Sequence, residues 1–381
     1  MAKKILDALC LAVLCTILAL GLWPFHSPTN EVSWLRAGNG LSYARYGTAM
    51  SSGVFEAGPN GSEGAGSVEI WLQPGNIWDS GTLLSFSTSA DLYRFSLRET
   101  QTDLRVQAAI ADGAKGMRRS GFDVDRLFYR AGPSFITVTS GARGTAVYRD
   151  GILARRVARW RLGGNQLTGR LVLGDSPGQG DSWQGRFFGL AVYRVELSPE
   201  QVLRHYESWT QTGKPEIGKD EDNAALYLFD EHAGNVVHNR ANSAVDLLIP
   251  KTYTVLDQIF LEPVWTEFGM TRSYWGAALK NIVGFMPFGF CFCARLAWSR
   301  YQKRAALVSV VLGALASLTI EVLQSRLPTR DSGTTDLITN TLGTWIGAAL
   351  FGSMTVQALL AKVPGFKDAG VWNGDRRGSN R

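Results

Sequence analysis

The polar middle of this 381-residue chain contains no cysteine, and all four cysteines (Cys10, Cys15, Cys291 and Cys293) lie in apolar segments. A disulfide framework and a cysteine-based zinc site are thereby excluded from the middle. Histidine is equally scarce, with four residues. His232 and His238 lack metal-ligand spacing and His26 and His205 stand alone, so surface or core histidines are expected and no metal centre. No lipobox exists, because Leu9 and Leu14 sit where a small residue must precede each cysteine. Gly174-Asp-Ser-Pro-Gly178 matches a nucleophile elbow by letter only, since Pro177 in a strand context offers no strand-to-helix turn. A strong charge imbalance is missing too: 39 Lys and Arg stand against 33 Asp and Glu. That mild excess suits anionic lipid or polymer neighbours and does not indicate nucleic acid.

What is present divides into apolar ends around a polar, glycine-rich middle. Lys3 and Lys4 precede an apolar run from Ile5 to Trp23, broken only by Asp7. The run is longer than a signal core, and Trp23-Pro24-Phe25 lacks the small residues of a cleavage site; Ala19-Leu20-Gly21 is the alternative. An uncleaved anchor is predicted. Three further runs, Tyr274 to Trp298, Ala305 to Leu323 and Leu337 to Leu360, each approach the ~20 residues that cross a bilayer. Placing Lys3, Lys4, the Arg300–Lys303–Arg304 loop and the basic tail in the cytoplasm satisfies the positive-inside rule. The expectation is four spans, both termini cytoplasmic, and the middle domain outside.

From Val32 to His205 the pattern is short alternating runs, such as Ser67–Leu72, Thr82–Phe86, Leu104–Ala108 and Phe135–Thr139, separated by Gly, Asp, Asn and Pro. Each reads as a half-buried antiparallel strand. Thr145 to Leu153 reads as a hairpin turning at Asp150-Gly151. Many short strands with regular turns predict a β-sandwich. Ser198, Pro199 and Gln201 then mark the start of a short helix. Arg155, Arg156, Arg159 and Arg161 around Trp160 suit an anionic polymer, although their alternation favours an exposed strand face.

The order Val68-Glu-Ile-Trp-Leu72, Tyr148-Arg-Asp-Gly151, Leu171-Val-Leu-Gly174 and Gly185 to Arg194, closed by Leu197 to Tyr206, resembles laminin-G-like, concanavalin A-type jelly rolls. That resemblance implies a fold that often binds saccharides and in some members holds calcium. Asp175 and Asp181 are the acids of a Gly-rich loop where calcium would bind through oxygens, solvated turn residues being the other reading. Fold alone does not settle function. After a charged connector, Ala225–Phe229, Val236-Val237 and Leu247–Ile249 read as further strands, added to the sandwich or forming a membrane-proximal extension. Pro250 to Met270, with Phe260, Trp265 and Phe268, suits an interfacial aromatic belt.

The stretch Glu321 to Gly347 is the most demanding part. Glu321 and Gln324 lie one turn apart at the end of one apolar run, Asp336 and Asn340 one turn apart at the start of the next. With a rise of about 1.5 Å per residue, Lys280, Asn281, Glu321, Gln324, Arg330, Asp336 and Asn340 fall at one outer-leaflet level. Polar residues inside apolar helices are costly and mark sites by default; helix-end polarity, with Asp336 as an N-cap, and a structural cluster are the alternatives. Pairing of Lys280 with Glu321 would offset both desolvation costs, leaving Asp336 and Arg330 at the mouth. Gly343-x-x-x-Gly347 permits close helix approach.

Glu321-x-x-Gln324, Pro328-x-Arg330 and Asp336-x-x-x-Asn340-x-x-Gly343, with Asn281 to Gly289 as a preceding helix, resemble the signature of VanZ-like membrane proteins. The resemblance supplies no biochemical activity, and no catalytic residue is assigned. The predicted architecture is multi-domain: an α-helical membrane bundle of about four transmembrane helices plus an all-β jelly-roll sandwich. Its parts are a first helix (1–25), the sandwich (32–209), a connector (210–272), a three-helix VanZ-like unit (273–363) and a basic cytoplasmic tail (364–381). The expected role is recognition of an envelope glycan or lipid-linked saccharide at a bacterial inner membrane. Glu321 and Asp336 as an acid/base pair on a lipid-linked substrate, or a structural role binding another envelope protein, are the alternatives.

Overall fold

The structure, a computed structural model, describes residues 2–56, 65–76, 78–88, 91–111, 117–130, 132–162, 166–177, 181–241, 244–256, 260–268, 272–330, 332–360 and 362. Gly178, Met270 and the tail 364–381 lie outside the described residues. The chain separates into two compact units, Ser27–Asp257 and a second made of Met1–His26 with Gln258–Arg381.

The first unit is a sandwich of two eight-stranded sheets. One sheet runs in the order β1 (Val32–Trp34), β2 (Leu41–Tyr43), β13 (Gly185–Tyr193), β4 (Gly66–Pro74), β9 (Ser134–Gly141), β10 (Gly144–Arg149), β11 (Ile152–Val157). The strand β14 (Asn223–Tyr227) also pairs with β13, along Leu190 to Tyr193. The other sheet runs β15 (Val236–Val237), β16 (Leu247–Leu248), β3 (Ala49–Ser51), β12 (Arg170–Leu173), β5 (Ser80–Thr88), β6 (Asp91–Thr100), β7 (Asp103–Ala111), β8 (Met117–Val124). All pairings between these strands are antiparallel. The late strands therefore join the sandwich and form no separate extension.

Alternation sets the core. Val68, Ile70 and Leu72 of β4 meet Leu84, Phe86, Phe95 and Leu97 of the facing sheet with no exposed surface. The opposite face of β4 is covered as well, by α2 (Pro199–Thr212), whose Val202, His205 and Trp209 fall on one stripe. Ser198 and Gln201 form the anticipated capping box, Pro199 stands in the first turn, and Gly213 closes the helix at φ 77°. The Asp150-Gly151 turn has φ of 52° and 76°, the left-handed pair that strand twist prefers. Trp160 and Leu162 are buried and Arg159 and Arg161 exposed, as the alternation required, although that segment is a turn beyond β11 and no strand. The unit's incoming and outgoing segments run side by side: Thr29 and Thr252 form an antiparallel bridge, and the Tyr253 N–H donates to Pro28 O at 2.9 Å.

The second unit is helical: α1 (Ala2–Leu22), α3 (Val264–Glu267), α4 (Arg272–Ala297), α5 (Ala305–Gln324), α6 (Thr334–Gly352) and α7 (Met354–Leu360). Three helices are long and apolar enough to cross a membrane, and α6 with α7 forms a fourth apolar segment bent by 62°. The fourth span expected as one run from Leu337 thus starts earlier and breaks at Ser353, where the backbone is extended. The α4–α6 contact is the closest. A Cβ on Gly289 would lie 1.9 Å from Thr344 O, and one on Gly347 would lie 2.0 Å from Met286 O. Phe260, Trp265 and Phe268 are half or more exposed, as an interfacial belt requires.

Candidate functional site

At the end of the helical unit where α5 stops and α6 starts, polar side chains from three helices meet. The Glu321 carboxylate, 1% exposed, accepts the Gly333 N–H at 2.9 Å. Gly333 is the N-cap of α6 and has no side chain to cap with, so α5 supplies the acceptor. Asp336 is not the N-cap; it sits in the first turn, where its charge suits the helix dipole. It accepts the Asn281 side-chain amide at 2.8 Å, tying α4 to α6. Asn340 donates to Ser317 Oγ at 3.0 Å, tying α6 to α5. Gln324 donates to Gly21 O at 2.8 Å, and Arg330 donates to Trp23 O, so α1 joins the same end.

Six of the seven expected residues are thus brought together. Lys280 is the exception: it is exposed on α4 and makes no ion pair among the described residues. A lysine near a helix end reaches water by extending its stem, whereas the α6 amide has no such escape; Glu321 goes to the amide. Three polar atoms of the cluster, Gln324 Oε1, Asn340 Oδ1 and Arg330 Nε, are buried without a hydrogen-bond partner. Such atoms are uncommon in folded proteins and suit a ligand.

The sandwich holds a second arrangement that sequence reasoning missed. Ser42, Tyr43, Gln73, Asn76, Asp79, Gln184 and Arg186 line a groove of about 350 Å³ at the ends of β2, β4 and β13. The groove offers amides, a carboxylate and a guanidinium. Trp78, between Asn76 and Asp79 in sequence, is 68% exposed. An indole left in water next in sequence to two of the lining residues is the available signal, and it stood in the sequence as a lone Trp in the turn after a strand.

His205, isolated in sequence, is fully buried between two acids. Its Nδ1 is hydrogen-bonded to Glu69 at 3.1 Å and its Nε2 to Glu221 at 2.9 Å. Burial opposes the charged ring, but the Glu69 hydrogen bond and the charges of Glu69 and Glu221 prevail and raise its pKa. The Tyr193 hydroxyl donates to Glu69 at 2.9 Å, and Arg204 pairs with Glu221. This network pins α2 to the sheet.

The calcium expectation meets residues already engaged. Asp175 accepts from the Tyr253 hydroxyl and from the Ser176 N–H, and burial pushes its pKa up to about 7. Asp181 pairs with Arg98 and accepts from Thr82. No group of three or more His, Cys, Asp or Glu fit to hold a metal occurs among the described residues.

Residues 50–203 match the family model of the concanavalin A-like lectin/glucanases superfamily, and residues 224–355 match that of VanZ/LLP1. The second match begins in β14, so its first part lies in the sandwich. No curated protein matches the chain. Among solved structures it is similar to a candidate carbohydrate binding protein from Bacteroides ovatus, at 15% identity over 56% of this chain with a TM-score of 0.38. It spans 58% of that protein's length. It is also similar to the native heptameric SAP-like pentraxin of Limulus polyphemus, at 12% identity over 60% of this chain and 95% of that one with a TM-score of 0.34. The receptor binding domain of botulinum neurotoxin D is similar at 13% identity, over 60% of this chain and 74% of that one, with a TM-score of 0.36. The chain thus carries a segment similar to the concanavalin A-like lectin/glucanases superfamily ahead of a segment similar to VanZ/LLP1, together with three helices long and apolar enough to cross a membrane.

Proposed function

We propose that this protein is a cell-envelope saccharide receptor: the sandwich binds a glycan, or the sugar part of a lipid-linked saccharide, beside the membrane. The observation that carries the reading is the polar groove, two of whose lining residues, Asn76 and Asp79, bracket the exposed Trp78 in sequence. Sugars present hydroxyls at their edges and an apolar face, and amides, Arg186 and an open indole are the complementary set. The helical unit's cluster, with buried unpartnered atoms on Gln324, Asn340 and Arg330, then receives the polar headgroup of the same class of ligand. Glu321 caps α6 and Asp336 holds the Asn281 amide of α4, so both carboxylates have structural partners, which favours binding over acid/base chemistry.

Glycan-array binding by residues 27–257 tests the reading. Saccharide retention that falls at least about tenfold in Trp78→Ala, the loss of one aromatic contact of about 1.4 kcal/mol or more, is expected. Absence of any retained saccharide, or retention indifferent to Trp78 and Arg186→Ala, would overturn it.

The same proposal places the sandwich outside the cell. Chain connectivity puts it after α1 and before α4, and the basic Arg300–Arg304 turn belongs in the cytoplasm by the positive-inside rule. With native cysteines replaced, Glu200→Cys should be labelled by an impermeant thiol reagent in intact cells and Gln302→Cys protected. The reverse pattern would refute external placement.

A further inference from the structure

The helical unit has a concavity far from the Glu321 cluster. Ala305 at its edge and Glu321 are separated by 16 residues of α5, about 24 Å along the helix. The concavity encloses about 520 Å³, within the usual size of small-ligand sites. Its walls are mostly apolar and rich in small residues, Ala297 from α4, Ala306 from α5 and Ala349 from α6, with Phe351 as the large exception on α6. The 62° bend after Gly352 turns α7 off the line of α6, and Gln357 of α7 joins the lining. Lys303 and Arg304, in the short turn before α5, stand at the mouth, exposed and without an ion-pair partner among the described residues.

An apolar cleft under two free cations has few complementary ligands. A free phosphate would satisfy the cations and leave the alanine wall bare. A neutral chain would do the reverse. The protein's own tail carries Lys367, Arg376, Arg377 and Arg381 against Asp368 and Asp375, so its net charge repels the mouth. We propose that this concavity binds an anionic phospholipid, with its phosphate against Lys303 and Arg304 and one acyl chain along the alanine-lined wall. Basic pockets between membrane helices select anionic headgroups by this combination of charge and apolar depth. The site is independent of the saccharide reading, since it uses none of those residues.

The test uses the full-length protein in a zwitterionic detergent, offered equal amounts of phosphatidylglycerol and phosphatidylcholine and read by native mass spectrometry. Phosphatidylglycerol adducts should exceed phosphatidylcholine adducts at least fivefold. The double variant Lys303→Gln, Arg304→Gln should abolish that preference, and Ala306→Phe, which fills the wall, should deplete adducts of both lipids. Glycerol phosphate, which has the headgroup and no chains, should not be retained. A second measurement does not depend on the charge variants folding. With native cysteines replaced, phosphatidylglycerol should slow maleimide alkylation of Ala349→Cys more than phosphatidylcholine does. Equal retention of the two lipids, a preference that survives the double variant, retention of glycerol phosphate, or unprotected alkylation would each overturn the proposal.

Discussion

Asp175 and Glu99 are carboxyl groups in the interior of the sandwich, 1% and 0% exposed, whose pKa burial pushes up to about 7 and about 8. Glu99 accepts the Trp183 indole N–H through one oxygen while the other has no partner, as a neutral acid tolerates and an anion does not. Both pKa values lie above those of an unfolded chain, so their contribution is complete below about pH 4 and is lost as pH rises through 7 and 8. His205 acts in the same direction, because its pKa is also raised: its contribution is present below about 6.5 and fades above. Glu221, with a lowered pKa, works oppositely and protects only above about 4.5. The sandwich should therefore be most stable near pH 5 and weaken toward pH 8. Each pH unit of elevation is worth about 1.4 kcal/mol. Asp175→Asn with Glu99→Gln should flatten the decline, as urea unfolding of residues 27–257 between pH 5 and 8 will show; a parent protein indifferent to pH in that window would contradict this. None of these partnerships was legible in the sequence. Glu69 and His205 stand 136 residues apart, and only their alternation on β4 and α2 toward a shared face hints that they meet.

The α4–α6 contact depends on glycine backbones. Gly343-x-x-x-Gly347 spacing announced close approach, and the structure adds Gly289 of α4, which abuts Thr344. A methyl at Gly347 would collide with the backbone of Met286 and Phe290, atoms that cannot swing aside. Gly347→Ala should destabilise the purified helical protein by about 1–3 kcal/mol, an overpacking cost, whereas Gly284→Ala, facing open space, should be neutral. Equal melting temperatures for the two variants would show that α4 and α6 are not packed in this way. The helix ends were less legible than the helices. Apolar runs located α1, α4 and α5 to within a few residues, because length and hydropathy are local properties. The capping of α6 by Glu321 is not local, and an ion pair with Lys280 looked the better use of that carboxylate until the partner amide was visible.

The sandwich as a whole needs more chain than its family pattern suggests. β14 completes one sheet beside β13, and β15 with β16 extends the other beside β3, burying Tyr227, Val237 and Leu247 completely. Residues 27–257 should therefore express as a soluble β protein with a cooperative melt, while 32–209 should lack a sharp transition and aggregate. Removing these strands exposes two sheet edges and the core surface under them. Cooperative melting of both fragments, with matching circular dichroism, would contradict this. The fold type was readable from alternation and turn residues; the contribution of residues after Asn223 was not, because a strand of two to five residues carries little periodic signal.

The bridge between Thr29 and Thr252 has a larger meaning. A module whose two feet stand together can be lifted out of a protein, or set into one, without asking the host to bridge a gap. Seen from the helices, the span Ser27–Asp257 is an ornament on the connection between α1 and α4. Another domain with adjacent feet would fit the same socket, so the inserted module can change by cassette exchange while the helical part stays as it is.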